Sequence, residues 1–408
     1  MSFDWVMSGF GLLVMIGVAY GLSSSRKDIK WKTIVSGLIL QIVLGLIILK
    51  TPFGVAVFDG AREAFNGILN YTNEGSKFVF GSLVDVPKSG FIFAFLVLPT
   101  IIFMSSLMSV LYHLGVMQKI VEITAKIMMK VMGTSGAESL SAAANIFVGQ
   151  TEAPLVVKPF VEKMTKSELM ALMTGGMATV AGGVLAAYVG MGVDAGHLLA
   201  ASVMSAPAAL ICAKLLVPET EESQTQGVVK VNLPKTNANF IDAAASGAAE
   251  GLTLALNVGA MLLAFIALIA MLNGMLGWFG SLIGLEQLSF EFLIGYVFAP
   301  FAFLMGVPWD DCLQVGVMLG KKTVVNEFVA YMDLQVAIES GAISQRAITI
   351  TTYALCGFAN FSSIAIQLGG IGGLAPNRRH DLARLGIKSL IGGTLACFMT
   401  ACIAGLLI

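Results

Sequence analysis

Eight long apolar runs constrain this chain more than any other feature of its sequence. A run of about 20 apolar residues is long enough to cross the hydrocarbon core of a membrane as a helix. The runs lie at 3–22, 32–50, 91–111, 168–189, 196–216, 251–278, 346–370 and 385–408. They predict an all-α polytopic membrane protein with eight transmembrane helices.

The composition excludes the soluble classes of protein. Only 12% of the residues are charged and 57% are hydrophobic, whereas a soluble domain carries roughly 25% charged residues. The net charge of −1 provides no basic field, so no nucleic-acid partner is expected. The 45 glycines and 22 methionines favour closely packed helices in lipid over a β-barrel. The five cysteines show neither a disulfide framework nor metal-ligand spacing, and we expect buried thiols.

The charges of the loops predict the orientation. Lys and Arg are concentrated after spans one, three and five and before span eight, while the loops 190–197 and 279–291 contain neither. Because positive charge collects on the cytoplasmic side, both termini are predicted to lie outside the cytoplasm. This orientation allows eight crossings only if two further apolar regions, 136–165 and 308–340, do not cross.

Those two regions are each interrupted midway by polar residues. Each arm has about 12 residues, or roughly 18 Å of helix, which is shorter than the ~30 Å hydrocarbon core. They are therefore predicted to be re-entrant hairpins, whose non-helical tips need protein or a cavity around them. An amphipathic interfacial helix is predicted before each hairpin, at 116–132 on the cytoplasmic side and at 289–305 on the outer side.

The order of span, interfacial helix, hairpin, span and span occurs twice, at about 91–216 and 251–408. Three crossings in each unit invert the second copy relative to the first. Inverted repeats with broken helices are typical of secondary transporters, which bind substrate between the repeats. The predicted units are 1–90 (scaffold helices one and two and an interfacial segment), 91–135 (scaffold helix three and the cytoplasmic interfacial helix), 136–216 (first transport half), 217–250 (cytoplasmic linker), 251–306 (scaffold helix six and the outer interfacial helix) and 307–408 (second transport half). The polar part of the linker, 217–240, is expected to be a solvated loop.

Carboxylates at the hairpin tips are the first candidates for a functional site, because charged residues inside a membrane are costly. Glu152 and Glu327 are expected to face an internal, water-accessible pocket. The alternative for Glu327 is a local ion pair with Lys321 or Lys322.

Asn145 and Thr179 predict a cation site. Asn145 ends the first hairpin arm, where the carbonyls of a helix C-terminus favour a cation, and its side chain adds an oxygen. Thr179 can add a hydroxyl where Gly182 and Gly183 let span four unwind. Oxygen ligands without a thiol suit an alkali cation. The alternative for both side chains is hydrogen bonding between helices.

Span seven contains a second candidate break. Phe358 and Asn360 cannot face the same way in a regular helix, so an unwound stretch beside Gly357 would let both reach one pocket. The alternative is ordinary polar packing. The candidate pocket lacks the Arg that an anionic substrate would need, so we expect a neutral substrate rich in hydroxyls. A nucleoside suits this set, with its sugar on the carboxylate and Asn oxygens and its base beside Phe358.

Three motifs resemble those of the concentrative nucleoside transporter family. They are Gly149-Gln150-Thr151-Glu152-Ala153-Pro154, Asn326-Glu327-Phe328-Val329-Ala330-Tyr331 and Cys356-Gly357-Phe358-Ala359-Asn360-Phe361-Ser362-Ser363. The resemblance covers essentially the whole chain and is greatest to the bacterial, sodium-coupled members. It implies a homotrimer in the bacterial inner membrane, with periplasmic termini and two re-entrant hairpins per protomer. It also implies that nucleosides such as uridine enter together with sodium through an elevator movement.

The resemblance assigns site residues one by one. The sodium ligands of the family match Asn145, Val148, Thr179 and Val180, the two valines through their backbone carbonyls. Thr179 stands where close relatives have Ser, and the hydroxyl is kept. The contacts to the base match Gln150, Thr151, Glu152, Val184 and Phe358, and the contacts to the ribose match Glu327, Asn360 and Ser363.

Two other functions are alternatives to nucleoside transport. A sodium- or proton-coupled carrier of an amino acid or a carboxylate also uses paired hairpins, but the candidate pocket lacks Arg. The intact sodium-site pattern favours sodium over protons. An intramembrane enzyme is not expected, because the chain contains neither His-Glu-x-x-His nor Gly-x-Ser-x-Gly.

Overall fold

A computed structural model describes residues 3–90, 92–227, 237–285 and 287–408. These residues form helices, and none of them lies in a strand. The predicted all-helical architecture is therefore confirmed. Residues 228–236 of the predicted linker lie outside the described residues.

Thirteen α-helices of the described residues precede the linker. They are α1 (Phe3–Gly21), α2 (Trp31–Lys50), α3 (Pro52–Phe80), α4 (Val86–Ser89), α5 (Phe93–Leu96), α6 (Leu98–His113), α7 (Val116–Met132), α8 (Gly136–Asn145), α9 (Ala153–Val156), α10 (Lys158–Val161), α11 (Lys166–Ala178), α12 (Gly182–Gly190) and α13 (Ala195–Leu216). The interfacial helix predicted at 116–132 coincides with α7. The second arm of the first hairpin is less regular than predicted, because it consists of the single turns α9 and α10.

Seven α-helices of the described chain follow the linker's unassigned part. They are α14 (Phe240–Ile283), α15 (Phe290–Leu304), α16 (Cys312–Val324), α17 (Glu327–Ser340), α18 (Gln345–Leu355), α19 (Phe361–Leu374) and α20 (Arg379–Leu407). The outer interfacial helix predicted at 289–305 corresponds to α15. The linker ends earlier than residue 250, because Asn239 caps α14 by accepting hydrogen bonds from two backbone amides.

Seven helical stretches of the described chain are long and apolar enough to cross a membrane. They coincide with predicted spans one to six and eight. The span predicted at 346–370 forms two shorter helices, α18 and α19, on either side of residues 356–360. The interfacial segment predicted within 1–90 contains the 29-residue amphipathic helix α3, and Thr51 caps its N-terminus.

The loops with positive charge gather at one end of the molecule and the termini at the other. Lys30, Gly133 and Lys214 line one small cavity, so the loop after span one, the end of α7 and the end of span five meet. At the far end of α1, the indole of Trp5 donates to the carbonyl of Leu406. A 19-residue helix is about 28 Å long, so α1 separates the two ends.

Each of the two interrupted segments begins and ends at the same end of the molecule, and the two segments use opposite ends. The Ser135 hydroxyl donates to Glu168 Oε1 at 2.6 Å, so the residues between them leave the basic-loop end and return to it. The Ser344 hydroxyl donates to Asp311 Oδ2 at 2.6 Å, which closes the second segment in the same way. The neighbouring Arg346 donates to the carbonyl of Gly405 at 2.8 Å, which places this second closure at the end that holds the termini.

Most of the described first part of the linker is exposed, as its composition predicts, but two of its side chains contact the ends of neighbouring helices. Glu219 Oε2 accepts a hydrogen bond from Thr165 Oγ1 at 2.8 Å, and Thr225 Oγ1 accepts one from the amide of Ala137 at 3.1 Å. These contacts cover the N-termini of α11 and α8. The first amides of a helix have no partner inside it and need acceptors. Polarity alone could not show that two such ends lie side by side.

Spans three and six pack closely against each other. Gly247 and Gly251 of α14 lie against α6, where an added Cβ would come within 2.8 Å of side-chain atoms of Ser109 or Ser105. Small residues at this spacing allow close helix contact in a membrane. By contrast, α1 and α2 pack against α13 and α20. The scaffold role predicted for 1–90 stays a prediction, since contacts between helices do not by themselves show which part of the molecule moves.

Candidate functional site

The breaks in two helices cross each other at the centre of the site. Residues 179–181 separate α11 from α12, and residues 356–360 separate α18 from α19, so the unwinding predicted in spans four and seven is confirmed. The amide of Phe358 donates to the carbonyl of Thr179 at 3.2 Å. This approach requires glycine at 357, since a Cβ there would lie 2.8 Å from a carbonyl oxygen of α11.

Glu327, the first residue of α17, is buried, and each of its carboxylate oxygens accepts a hydrogen bond. Its Oε1 accepts a hydrogen bond from the Tyr188 hydroxyl at 3.0 Å, and its Oε2 accepts one from Asn360 Nδ2 at 3.1 Å. Asn360 also caps α19, because its Oδ1 accepts from the amide of Ser363 at 2.9 Å. One carboxylate thus connects the tip of the second hairpin with spans four and seven.

The alternative ion pair of Glu327 does not occur in the described part of the chain. Lys321 instead pairs with Asp333 at 3.0 Å. The Lys322 ammonium donates to the carbonyl of Ala354 at 2.8 Å. Neither lysine forms an ion pair with Glu327, so the hydrogen bonds to this carboxylate come from the uncharged side chains of Tyr188 and Asn360.

The first hairpin joins the same network through Gln150. Its Nε2 donates to Ser363 Oγ at 3.0 Å, and its Oε1 accepts from Gln367 Nε2 at 3.1 Å. Thr151 and Glu152, the next two residues of the tip, are exposed and stand outside the network. The structure therefore brings together Gln150, Ser363, Asn360 and Glu327 but leaves the first carboxylate candidate at the edge.

Asn145 is the most unusual polar residue near this network. Its side chain is 1% exposed, and neither its amide oxygen nor its amide nitrogen has a hydrogen-bond partner among the described residues. Leaving a buried polar group unpaired costs about 1–3 kcal/mol. An amide that is buried and unpaired at a helix C-terminus suits an oxygen-binding cation, so the residue present fits the predicted sodium ion.

The other predicted sodium ligands lie around the break in span four. The Thr179 hydroxyl is buried and donates to the carbonyl of Gly175 at 2.9 Å, which leaves its oxygen lone pairs available. Val180 is buried next to it. The amide of Gly182 donates to the carbonyl of Phe147 at 3.1 Å, which ties this break to the hairpin tip beside Val148.

Two members of the network escaped the sequence analysis. Tyr188 stacks on Tyr331 with ring centroids 4.1 Å apart, and its hydroxyl reaches Glu327. Gln367 donates both to Gln150 and to the carbonyl of Met173. Tyr188 is the one polar side chain of α12 and Gln367 the one amide side chain of α19, and this isolation in an apolar helix is the signal that could have identified them. Val184 is buried in α12 one turn before Tyr188.

These features define a class of membrane protein. Two interrupted segments that start from opposite ends of the molecule bring polar groups to crossing helix breaks, which is the architecture of secondary transporters.

Comparisons with known proteins identify the family. Residues 10–83 and 197–405 match the families described as the N-terminus and C-terminus of Na+ dependent nucleoside transporters, and residues 94–195 match one described as nucleoside recognition. The chain is 50% identical to the uncharacterized transporter YutK of Bacillus subtilis over 98% of both chains. It is 44% identical to sodium/nucleoside cotransporter 1 of Mus musculus over 99% of this chain and 64% of that protein. The structure matches CNTnw in an inward-facing, substrate-bound state with a TM-score of 0.94 and 46% identity, over 99% of this chain and 98% of that one.

The chain belongs to the Na+-dependent nucleoside transporter family, the concentrative nucleoside transporters. It is a multi-pass membrane transporter, and sodium is the co-transported ion that this membership implies. The resemblance drawn from the three motifs is confirmed.

Proposed function

We propose that this protein imports nucleosides such as uridine across the bacterial inner membrane, driven by the sodium gradient. The observation that carries the proposal is the buried network from Tyr188 through Glu327, Asn360 and Ser363 to Gln150. Its groups are uncharged donors and acceptors around one carboxylate, which suits a neutral substrate rich in hydroxyls.

In this proposal the hydroxyls of the ribose replace some of the hydrogen bonds that the residues of the network form with one another. Glu327, Asn360 and Ser363 would hold the sugar hydroxyls, because a carboxylate accepts two strong hydrogen bonds. The base would lie against Phe358 and Val184, with Gln150, Thr151 and Glu152 at its polar edge. Thr151 and Glu152 are exposed and would contact the base only once the tip of the first hairpin closes over it.

Sodium would bind to Asn145 and Thr179 and to the carbonyls of Val148 and Val180. Asn145 lies five residues before Gln150, and both belong to the first hairpin. An ion that orders this tip would therefore favour nucleoside binding. By linkage the nucleoside favours sodium by the same factor.

Transport would follow an elevator movement in a homotrimer with periplasmic termini. The closely packed pair α6 and α14 would form the scaffold of each protomer. The moving body would hold two re-entrant hairpins and spans four, five, seven and eight.

Uptake of uridine into proteoliposomes tests this proposal. We expect an inward sodium gradient to drive accumulation, and an inward proton gradient at equal sodium to drive none. A competing panel of other nucleosides, acidic amino acids and sugars would define the substrate class. Accumulation that followed the proton gradient alone would refute the sodium assignment, and competition by amino acids alone would refute the substrate.

A further inference from the structure

Lys322 is a buried cation that forms no hydrogen bond or ion pair with the predicted nucleoside or sodium ligands among the described residues, although its charge acts on the Glu327 carboxylate. The side chain is 1% exposed, although burying an ion costs several kcal/mol unless it is compensated. It forms no ion pair within the described part of the chain. Its ammonium group donates to the carbonyl of Ala354 at 2.8 Å.

The acceptor lies at a helix C-terminus. Ala354 belongs to the last turn of α18, directly before the break at 356–360. The last carbonyls of a helix have no partner inside it and together carry about half a negative charge. The Lys322 ammonium therefore compensates the end of α18, which faces the same crossing of helix breaks as the end of α11.

The same place in the first repeat holds the unpaired amide of Asn145. Asn145 ends α8, the first arm of its hairpin, and packs on Gly175 in the last turns of α11, where an added Cβ would lie 2.9 Å from its Nδ2. Lys322 lies in the last turn of α16, the first arm of the second hairpin, and reaches the last turn of α18. The two repeats thus meet the same electrostatic need in different ways.

We propose that Lys322 is a tethered cation, a positioning residue that does permanently in the second repeat what the diffusible cation does in the first. Its charge holds the end of α18 and, through the break that follows, the position of Asn360 beside Glu327. The second hairpin is then competent to bind ribose without an ion. Ordering of the binding site by sodium is confined to the first hairpin. This inference rests on the proposed function for its nucleoside readout.

The test is chemical rescue of Lys322→Ala by ethylammonium, which replaces the missing end of the side chain. In saturating sodium, we expect Lys322→Ala to bind uridine about tenfold more weakly or worse, the scale of a lost charged hydrogen bond, and ethylammonium to restore most of that loss. Lys322→Met, which fills the space without a charge, should stay weak. Lys321→Ala is the matched control, because the neighbouring ammonium pairs with Asp333 outside the network.

A second readout needs no nucleoside. Ethylammonium should raise the melting temperature of Lys322→Ala and leave that of Lys321→Ala and the wild type unchanged. Wild-type protein that failed to bind uridine would refute the proposed function, while this selective stabilisation would still support the tethered cation.

The proposal is overturned if Lys322→Met binds uridine as the wild type does, or if ethylammonium acts equally on both alanine variants. If neither the Ala nor the Met variant can be purified, Lys322→Arg decides. A folded, uridine-binding Arg variant supports the requirement for charge, and its failure overturns the proposal.

Discussion

Glu327 and Asn145 are both buried, but they differ in whether their polar atoms have hydrogen-bond partners. Both carboxylate oxygens of Glu327 accept hydrogen bonds, from Tyr188 and Asn360, whereas neither polar atom of Asn145 has a partner among the described residues. Substitution should therefore affect them differently. Removing an acceptor from Glu327 breaks hydrogen bonds that exist, while removing the amide of Asn145 breaks none with the part of the chain that the structure describes.

Replacing Glu327 by Gln exchanges one acceptor oxygen for a donor that must face Tyr188 or Asn360. A hydrogen bond to a charged group contributes about 1.5–3 kcal/mol, or roughly 10- to 150-fold in affinity. We expect uridine to bind at least about tenfold more weakly to Glu327→Gln in isothermal titration. A 2′,3′-dideoxy nucleoside should bind the wild type poorly and lose little more in the variant. Equal losses for both ligands would mean that Glu327 is structural.

Replacing Asn145 by Ala should weaken sodium binding strongly without weakening the sodium-free fold. Removal of an unpaired buried amide relieves a cost of about 1–3 kcal/mol, so Asn145→Ala should be at least as stable as the wild type without sodium. Sodium at 100 times its Kd should stabilise the wild type by about 2.7 kcal/mol and the variant by far less, as measured by thermal unfolding. Asn273→Ala is the control, because that amide already pairs with Glu291. A variant that sodium stabilised as much as the wild type would exclude Asn145 as a ligand.

At the scale of helices, the site depends on two breaks that touch. The ends of α11 and α18 each expose backbone groups, and the hydrogen bond from Phe358 to Thr179 uses one group from each break. Unpaired backbone groups are too costly in lipid, so the two breaks satisfy each other inside the protein. This hydrogen bond forms only if the two backbone segments lie in close contact.

Gly357→Ala tests that condition. The added Cβ would lie 2.6 Å from Cys397 Sγ and 2.8 Å from the carbonyl oxygen of Met177, and such overpacking costs about 1–3 kcal/mol. We expect a matching loss in the free energy of unfolding, with uridine affinity reduced as well. Gly369→Ala in α19 is the control, since no described atom beyond the neighbouring backbone of its own helix lies within 4 Å of its added Cβ and the change should be neutral or slightly stabilising. Equal effects of the two substitutions would contradict the crossing.

At the scale of the whole molecule, the charge of the loops and the packing of the helices agree. The loops rich in Lys and Arg meet at one end, and both termini lie at the other, where Trp5 contacts Leu406. Positive charge marks the cytoplasmic side, so the end with the termini should face the periplasm.

Cysteine labelling measures this orientation. The five native thiols are all buried, which leaves a quiet background for an impermeant maleimide. Ile408→Cys should react in intact spheroplasts, because Ile408 is exposed at the C-terminus. Lys27→Cys, in the exposed turn after α1, should react only after lysis. The reverse labelling pattern would show that the termini face the cytoplasm and would contradict the predicted orientation.

The sequence was sufficient for features that depend on local pattern. Span positions follow from apolar length, and the break beside Gly357 follows from two pocket residues that no regular helix can aim together. The charge of the linker, by contrast, predicts solvent, and the structure packs Glu219 and Thr225 over two helix N-termini. Tyr188 and Gln367 carry no local pattern that separates them from other polar residues in apolar helices.

By itself, the sequence determined the all-helical membrane architecture and the family of this protein, because lipid leaves the backbone few solutions and three motifs keep their order along the chain. It also limited the candidate ligands to a few oxygen-bearing residues. Only the tertiary structure decided which of them meet. Residues 145, 188, 327 and 367 are far apart in sequence, and their contacts depend on how α8, α12, α17 and α19 pack. It also left Asn145 without a hydrogen-bond partner among the described residues and gave Glu327 two, since hydrogen bonding inside a membrane protein is decided by three-dimensional proximity and burial.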